Sequence, residues 1–336
     1  MGFESAGLKA GMNHQASFAE SEYARKKKTT RREKFLAQME AVVPWARLVE
    51  VIVPHYPSGK RGRPPVGIER MLRLYFLAQW YALADEALED ALYDSQAMRN
   101  FTGIDLAHDR VPDETTVLNF RHLLDRYDLC KAIFEEINLM LRERGIQMRE
   151  GTMVDATIIA APPSTKNQSG KRSAEMHQTK KGNQWYFGMK AHIGSDTKSR
   201  TVHSLATTAA NEADIHSAAQ VLHGDEKHAH FDAGYTGADK REDIREKAPE
   251  AELHIAAKRG KIKAMPEGDY KRFAQGLERC KAQVRAGVEH AFHIVKNIFG
   301  YRKTRYQGLK KNTTHLHILF ALANLVIARR PLLPKA

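Results

Sequence analysis

The sequence predicts two parts of different class: an all-helical region followed by a mixed α/β domain. Three observations carry this. From Gly67 to Gly145 apolar residues recur three and four apart, the period of amphipathic helices. After Gly151 the rhythm changes to short β-rich runs, three in succession and then two more alternating with helical stretches. Finally, aspartates stand within or at the end of apolar strand runs, where that residue is disfavoured unless something holds it. The expected boundaries are a basic arm and Gly/Pro linker over 1–66, a helical domain over 67–147, and the α/β domain over 148–330.

Composition narrows the function classes. The 336 residues carry 53 Lys+Arg against 40 Asp+Glu, a formal net charge of +13, with a pI near 9.6. That excess on an enzyme-sized chain points to a polyanionic partner, most often nucleic acid. An anionic membrane is the rival, but no strongly basic amphipathic helix stands out. Cys130 and Cys280 are the only cysteines, which excludes a disulfide framework and a thiolate zinc site and suits a reducing, cytoplasmic compartment. The first residues lack a signal-type apolar core, and the most apolar run, Leu316 to Ala328, is too short to span a bilayer. It reads as a core helix, and no membrane partner is expected.

In chain order, residues 1–34 are polar and end in the basic run Arg25 to Arg32. They read as a flexible arm, although any solvated charge run looks the same. A helix is expected over 33–42, ended by Pro44. The stretch from Ser58 to Pro65 is a linker that cannot be helical. Its Arg61-Gly62-Arg63-Pro64 core resembles an AT-hook, with Arg61 and Arg63 suited to a narrow minor groove, and a plain linker is equally compatible. Met71, Leu74, Tyr75 and Ala78 form one apolar helix face. Asp85 to Met98 makes a second helix, and Asp113 is a good N-cap for a third, Glu114 to Tyr127. A fourth runs from Lys131 to Arg144 and stops at Gly145. The turn before Asp113 allows a helix-turn-helix with Thr116, Asn119 and His122 facing bases and Arg121 beside them. A bundle that merely packs on the next domain remains the alternative.

In the second part, strands are expected over Thr152 to Ala161, Trp185 to Gly194, Thr201 to Thr207, Lys227 to Gly234 and Leu253 to Ala257, with a basic loop from Lys166 to Asn183. Helices are expected over Asp214 to Leu222, Ala238 to Lys247 and Phe273 to Phe299, the last stopped by Gly300. On that last helix Val288, Phe292, Val295 and Phe299 make an apolar stripe, and Arg285, Glu289 and Lys296 a charged one beside it.

Asp155 lies mid-strand, Asp232 at a strand end and Glu289 on the helix, spaced 77 and 57 residues apart. Singly, each is explained by a strand-end cap or a surface ion pair, the latter contributing only about 0.2–0.5 kcal/mol. Together they offer oxygen-only ligation, which suits Mg²⁺ or Mn²⁺ rather than zinc. Two such ions can activate a water or 3′-hydroxyl and stabilise the leaving oxygen of a phosphodiester, while Arg285 and Lys296 grip neighbouring phosphates. His228 and His230 alternate on one strand face and hint at a metal, but no further ligand at suitable spacing completes a zinc site.

From about residue 59 to 327 the chain resembles the bacterial DDE-type insertion-sequence transposases, most of all the insertion-sequence-five group. The resemblance rests on Gly62-Arg-Pro-Pro-Val-Gly67, Val154-Asp155-Ala-Thr157, Trp185-Tyr-Phe-Gly-Met-Lys-Ala-His192, Asp232-Ala-Gly-Tyr235 and the helix bearing Arg285, Glu289 and Lys296. It implies an RNase H-like catalytic domain with a five-stranded mixed sheet, behind a helical DNA-binding domain. It implies that Asp155, Asp232 and Glu289 are the catalytic, metal-binding triad for two Mg²⁺ or Mn²⁺ ions. The family signature begins with a tyrosine three residues before the arginine, where this chain has Ala282. The implied partner is double-stranded DNA, the element's terminal inverted repeats and a target, engaged by a homodimer or higher assembly in the nucleoid. The implied reaction is cleavage at the element ends and joining of the 3′-ends. Lys190 and His192 lie on a strand expected to neighbour Asp155 and to meet the scissile strand. Tyr301, Arg302, Lys303, Arg305 and Tyr306, with Lys310 and Lys311, suit a track in which phosphates are neutralised and bases stacked. A nuclease that cuts without joining, or a DNA-binding regulator with a decayed site, is the competing reading.

Overall fold

A computed structural model describes residues 23, 25–59, 64–166 and 170–333. Arg61 and Arg63 lie outside the described residues, as does most of the arm. The helical region comprises α1 (Arg31–Val42), α2 (Trp45–Ile52), α3 (Ile68–Trp80), α4 (Asp85–Asp94), α5 (Gln96–Thr102), α6 (Glu114–Arg126) and α7 (Leu129–Glu143). Thr30 and Glu33 close a capping box on α1. Asp113 caps α6, its Oδ1 accepting from the Thr116 amide at 2.8 Å. Two details depart from the sequence reading. Pro44 ends α1 but also starts α2, which buries Leu48 and Ile52; a proline is tolerated where a first-turn amide has no partner anyway. The helix expected over Asp85 to Met98 is two, because Ser95 is extended.

The sheet comprises β1 (Gly151–Ala160), β2 (His177–Lys181), β3 (Gln184–Asp196), β4 (Val202–Ala209), β5 (His228–Phe231) and β6 (Glu252–Ile255). β3 runs antiparallel to β1 and to β4, whereas β5 is parallel to β1 and β6 to β5. The resulting order β4-β3-β1-β5-β6 is the mixed sheet of an RNase H-like fold. β2 is a sixth strand where a loop was expected: it pairs with the first residues of β3 across the two-residue turn Gly182-Asn183. Two 3₁₀ turns, Asp214–Ser217 and Ala219–Val221, replace one expected helix. Then come α8 (Glu242–Lys247), α9 (Arg259–Lys263), α10 (Asp269–Arg285), α11 (Val288–His293) with a π turn over Ile294–Ile298, and α12 (Leu309–Leu332). The long helix expected over 273–299 therefore breaks at Ala286-Gly287. There the backbone presses on β1, and a Cβ on Gly287 would lie 3.0 Å from Met153 Sδ.

Each face of the sheet has its own cover. Met153 and Ile159 of β1, with Met189, Ala191 and Ile193 of β3, pack against α11 and α12. On the reverse face Val154, Ala229 and Phe231 meet Ala218, Val221, Tyr235 and Ile244. Gly194 lies against that reverse layer so closely that a Cβ would stand 2.0 Å from the Val221 carbonyl oxygen. Gly194→Ala must displace backbone, so it is expected to destabilise by about 3 kcal/mol in urea unfolding. Gly260→Ala in α9, where a Cβ meets nothing within 4 Å, should be neutral or stabilising.

The helical region and the sheet share one core, and α12 joins them. Asn324 Nδ2 donates to Asn138 of α7 at 2.9 Å and to the Val202 carbonyl of β4 at 2.6 Å. Its Oδ1 accepts from the Val202 amide at 2.7 Å. His315 meets Gln79 of α3 at 2.6 Å. The expected core helix is therefore correct, but it is longer than the apolar run that marked it. No helix among the described residues is long and apolar enough to cross a membrane.

Candidate active site

The parallel pairing of β1 with β5 sets Gly151, Thr152 and Met153 opposite His228, Ala229 and His230. Carried two residues further, the same register sets Asp155 beside Asp232, just past the end of β5. Side chains alternate along a strand, so both aspartates share the face of Met153 and His230. A backbone amide holds each through Oδ1: Ala156 for Asp155 and Gly234 for Asp232, both at 2.8 Å. Burial pushes the Asp155 carboxyl up to about 6. The Ala156 hydrogen bond opposes that rise, Asp232's charge adds to it, and Arg285 and Lys181 pull it back. Two neighbouring carboxylates, one desolvated, gain stability from a cation that lets both stay ionised; this donor set fits a hard divalent ion. Burial also pushes up the pKa of the Tyr235 phenol, whose oxygen is buried without a hydrogen-bond partner, and Asp214, Asp155 and Asp232 add to the effect.

The segment bearing the charged stripe lies over this face. A Cβ on Gly287 would meet Met153, and Lys296 Nζ donates to Thr157 Oγ1 at 2.6 Å and to the Ile158 carbonyl at 2.7 Å. Asp155 lies between Met153 and Thr157 on β1. Glu289, exposed in the first turn of α11, lies between the two anchors on the helix. Burial pulls the Lys296 ammonium down to about 8, helped by the charges of Lys181 and Arg302. Lys296 is thus clamped to the strand rather than extended into solvent.

Several expected DNA contacts lie elsewhere. Residues opposite each other in an antiparallel pair share a face. Ile193 is opposite Asp155, whereas His192 is opposite Ala156 and Lys190 opposite Ile158. Lys190 and His192 therefore belong to the reverse of the sheet. His192 is fully buried, its Nε2 2.9 Å from Thr208 Oγ1, and burial pushes its pKa down to about 4. Lys190 pairs with Asp214 at 2.8 Å and donates to the Glu212 carbonyl. The expected adjacency to β1 is present, but both side chains lie on the face opposite Asp155. Tyr301 is buried, its hydroxyl donating to Asn312 Oδ1 at 2.8 Å. Tyr306 is half-buried, 5.3 Å from the His315 ring and 5.7 Å from the Arg121 guanidinium above it. Arg121 itself pairs with Asp85 at 2.9 Å. These three hold elements together and present no open stacking platform. Arg302, Lys303, Arg305, Lys310 and Lys311 remain exposed, as do Asn119 and His122 on α6. The segment carrying Arg302 and Lys303 runs along the end of β1, with the Thr304 amide donating to the Ala160 carbonyl at 2.8 Å.

The sequence reading missed the β2–β3 hairpin. It brings Lys181 close enough for its charge to act on both Asp155 and Lys296, and it carries Lys180 and the exposed Trp185. The signal was present: a Gly-Asn pair between polar runs is a hairpin turn.

Residues 146–325 match the family model described as transposase DDE domain, and residues 23–123 match a second described as Transposase domain (DUF772). The first match covers more than half of the chain, within the part that holds Asp155, Asp232 and the α10–α12 layer. The chain therefore belongs to the insertion-sequence transposases with a DDE domain.

Proposed function

We propose that this transposase binds the terminal inverted repeats of its own element as double-stranded DNA, cleaves at the element ends and joins the 3′-ends to target DNA. The observation that carries the reading is the β1–β5 register, which sets Asp155 beside Asp232; the Lys296 hydrogen bonds that tie the Glu289-bearing segment to β1 support it. Asp155, Asp232 and Glu289 would hold two Mg²⁺ or Mn²⁺ ions. When bound, such ions activate the attacking water or hydroxyl and stabilise the leaving oxygen. The chain's own part is placement. β1 and β5 fix the two aspartates from rigid backbone, and the Lys296 clamp fixes the helix segment over them. Arg285 and Lys181 add positive charge where phosphate would lie. Within the helical region, residues 67–147 are the DNA-binding part, with Asn119 and His122 of α6 available to base edges. Two copies acting on paired ends satisfy the need to join two 3′-ends.

The test is incubation of the full chain with DNA carrying the element's ends, a target plasmid and Mg²⁺. Cleavage followed by joined product supports the reading. Cleavage without joining would favour a nuclease, and metal-independent or absent cleavage would end the proposal. Affinity should come largely from phosphate contacts, given the +13 charge and the exposed Arg302, Lys303, Arg305, Lys310 and Lys311. With six to ten such contacts, binding falls by about 10³–10⁵ between 50 and 200 mM salt. A nearly flat salt dependence in a gel-shift titration would contradict this.

A further inference from the structure

We propose that His228, Glu252 and His254 form a second cation site, for a borderline transition metal such as Zn²⁺. The register of two parallel strands builds it. β5 pairs with β6 so that His228 stands opposite Glu252 and His230 opposite His254, putting all four side chains on one face. His228 Nδ1 lies 3.3 Å from His254 Nε2 and 3.6 Å from Glu252 Oε2. One ligand atom from each of His228, Glu252 and His254 can be chosen so that all three lie within 4.8 Å of one another. Around a tetrahedral zinc with bonds near 2.0–2.1 Å, ligand atoms stand about 3.4 Å apart, so side-chain adjustment alone closes the set.

The donor types distinguish this site from the Asp155–Asp232 pair on the same face of the sheet. Two imidazoles and one carboxylate match the ligands of Zn²⁺, whereas carboxylates alone suit Mg²⁺. Two imidazole nitrogens 3.3 Å apart need one to donate and the other to accept; a cation accepts from both. His230 acts as a positioning residue: its ring stacks on that of His254 at 4.7 Å, limiting the rotation of His254. The three ligands leave a fourth position for water. Among the described residues β6 pairs only with β5 and has four residues, so it is a short edge strand with little of its own to hold it. A metal bridging β5 to β6 ties that edge to the strand that leads into Asp232. The inference stands apart from the proposed reaction, because it uses none of the triad.

The test uses the full chain, stripped with a chelator and titrated with Zn²⁺ against a chromophoric competitor in millimolar Mg²⁺. The expected result is one Zn²⁺ per chain, a higher melting temperature on binding, and visible bands of four-coordinate Co²⁺ when cobalt replaces zinc. His228→Ala and His254→Ala should each weaken Zn²⁺ binding by more than about tenfold, and the double variant should lose the melting shift. His228 is exposed and His254 half-buried, and circular dichroism checks that each variant folds. Asp155→Asn should keep its zinc, which separates failure of this site from failure of the triad. Absence of Zn²⁺ binding by the parent at micromolar concentration would overturn the proposal. So would parent-like affinity in the double variant, or loss of zinc in Asp155→Asn alone.

Discussion

Asp155→Asn is expected to lower cleavage of inverted-repeat DNA on the order of a thousandfold or more, and to make the metal-free protein more stable. Both effects follow from one carboxylate. Asparagine keeps the oxygen that accepts from the Ala156 amide but removes the charge that a divalent ion needs. Burial has raised the folded pKa of Asp155 to about 6, above an ordinary value near 4. Between those values the folded state holds more protons than the unfolded state. Metal-free stability therefore falls as pH rises from about 4 to about 6 and stays lowered above that. Removing the charge returns up to about 3 kcal/mol at neutral pH. Urea unfolding in a chelator at pH 7.5, beside a cleavage assay in Mg²⁺, measures both. Glu289→Gln should match the loss of cleavage while leaving DNA binding intact or slightly stronger, since an exposed negative charge near phosphate is gone. Parent-like cleavage by well-folded Glu289→Gln would reduce Glu289 to a surface charge and remove it from the triad.

Lys296→Ala is expected to lower cleavage by about ten- to a hundredfold through two losses at once. It removes a cation from the β1 side of the site, and it removes the two hydrogen bonds that tie the helix segment to Thr157 and Ile158. Second-layer contacts that orient metal ligands typically carry effects of about this size. DNA affinity should drop modestly, with the salt slope falling by about one, while the residual cleavage stays dependent on Mg²⁺ or Mn²⁺. A pH signature separates the charge from the packing. The folded ammonium titrates near 8 against an ordinary 10.5, so between those values the unfolded chain binds more protons. Parent stability should therefore gain a contribution as pH rises from about 8 to about 10.5. Lys296→Met, which keeps the packing stem without the charge, should lack that contribution. Unchanged cleavage and salt slope in Lys296→Ala would leave the residue as a strand clamp without a part in the chemistry.

Much of the architecture was legible in local sequence. Asp113 and Gly145 mark helix ends, and Gly300, with its φ of +69°, marks the stop after the helix segment that bears Glu289. The oddity of an aspartate inside Met153 to Ile159 marked Asp155 before any pairing was known. These signals act over a few residues, through capping bonds, backbone preference and alternation, so they survive without knowledge of neighbours. What the chain could not disclose was which distant residues meet, and on which side. Asp155 and Asp232 were named as partners, but only the parallel register of β1 and β5 makes them adjacent. His192 was assigned to DNA because it neighbours the strand of Asp155, yet a shift of one residue in a strand turns a side chain to the other face, and His192 is in the core. His228 lacked further ligands in sequence until β6 brought Glu252 and His254 beside it. Tertiary structure alone decided these points, because side-chain neighbours across a sheet depend on non-local pairing and burial, which no local preference specifies.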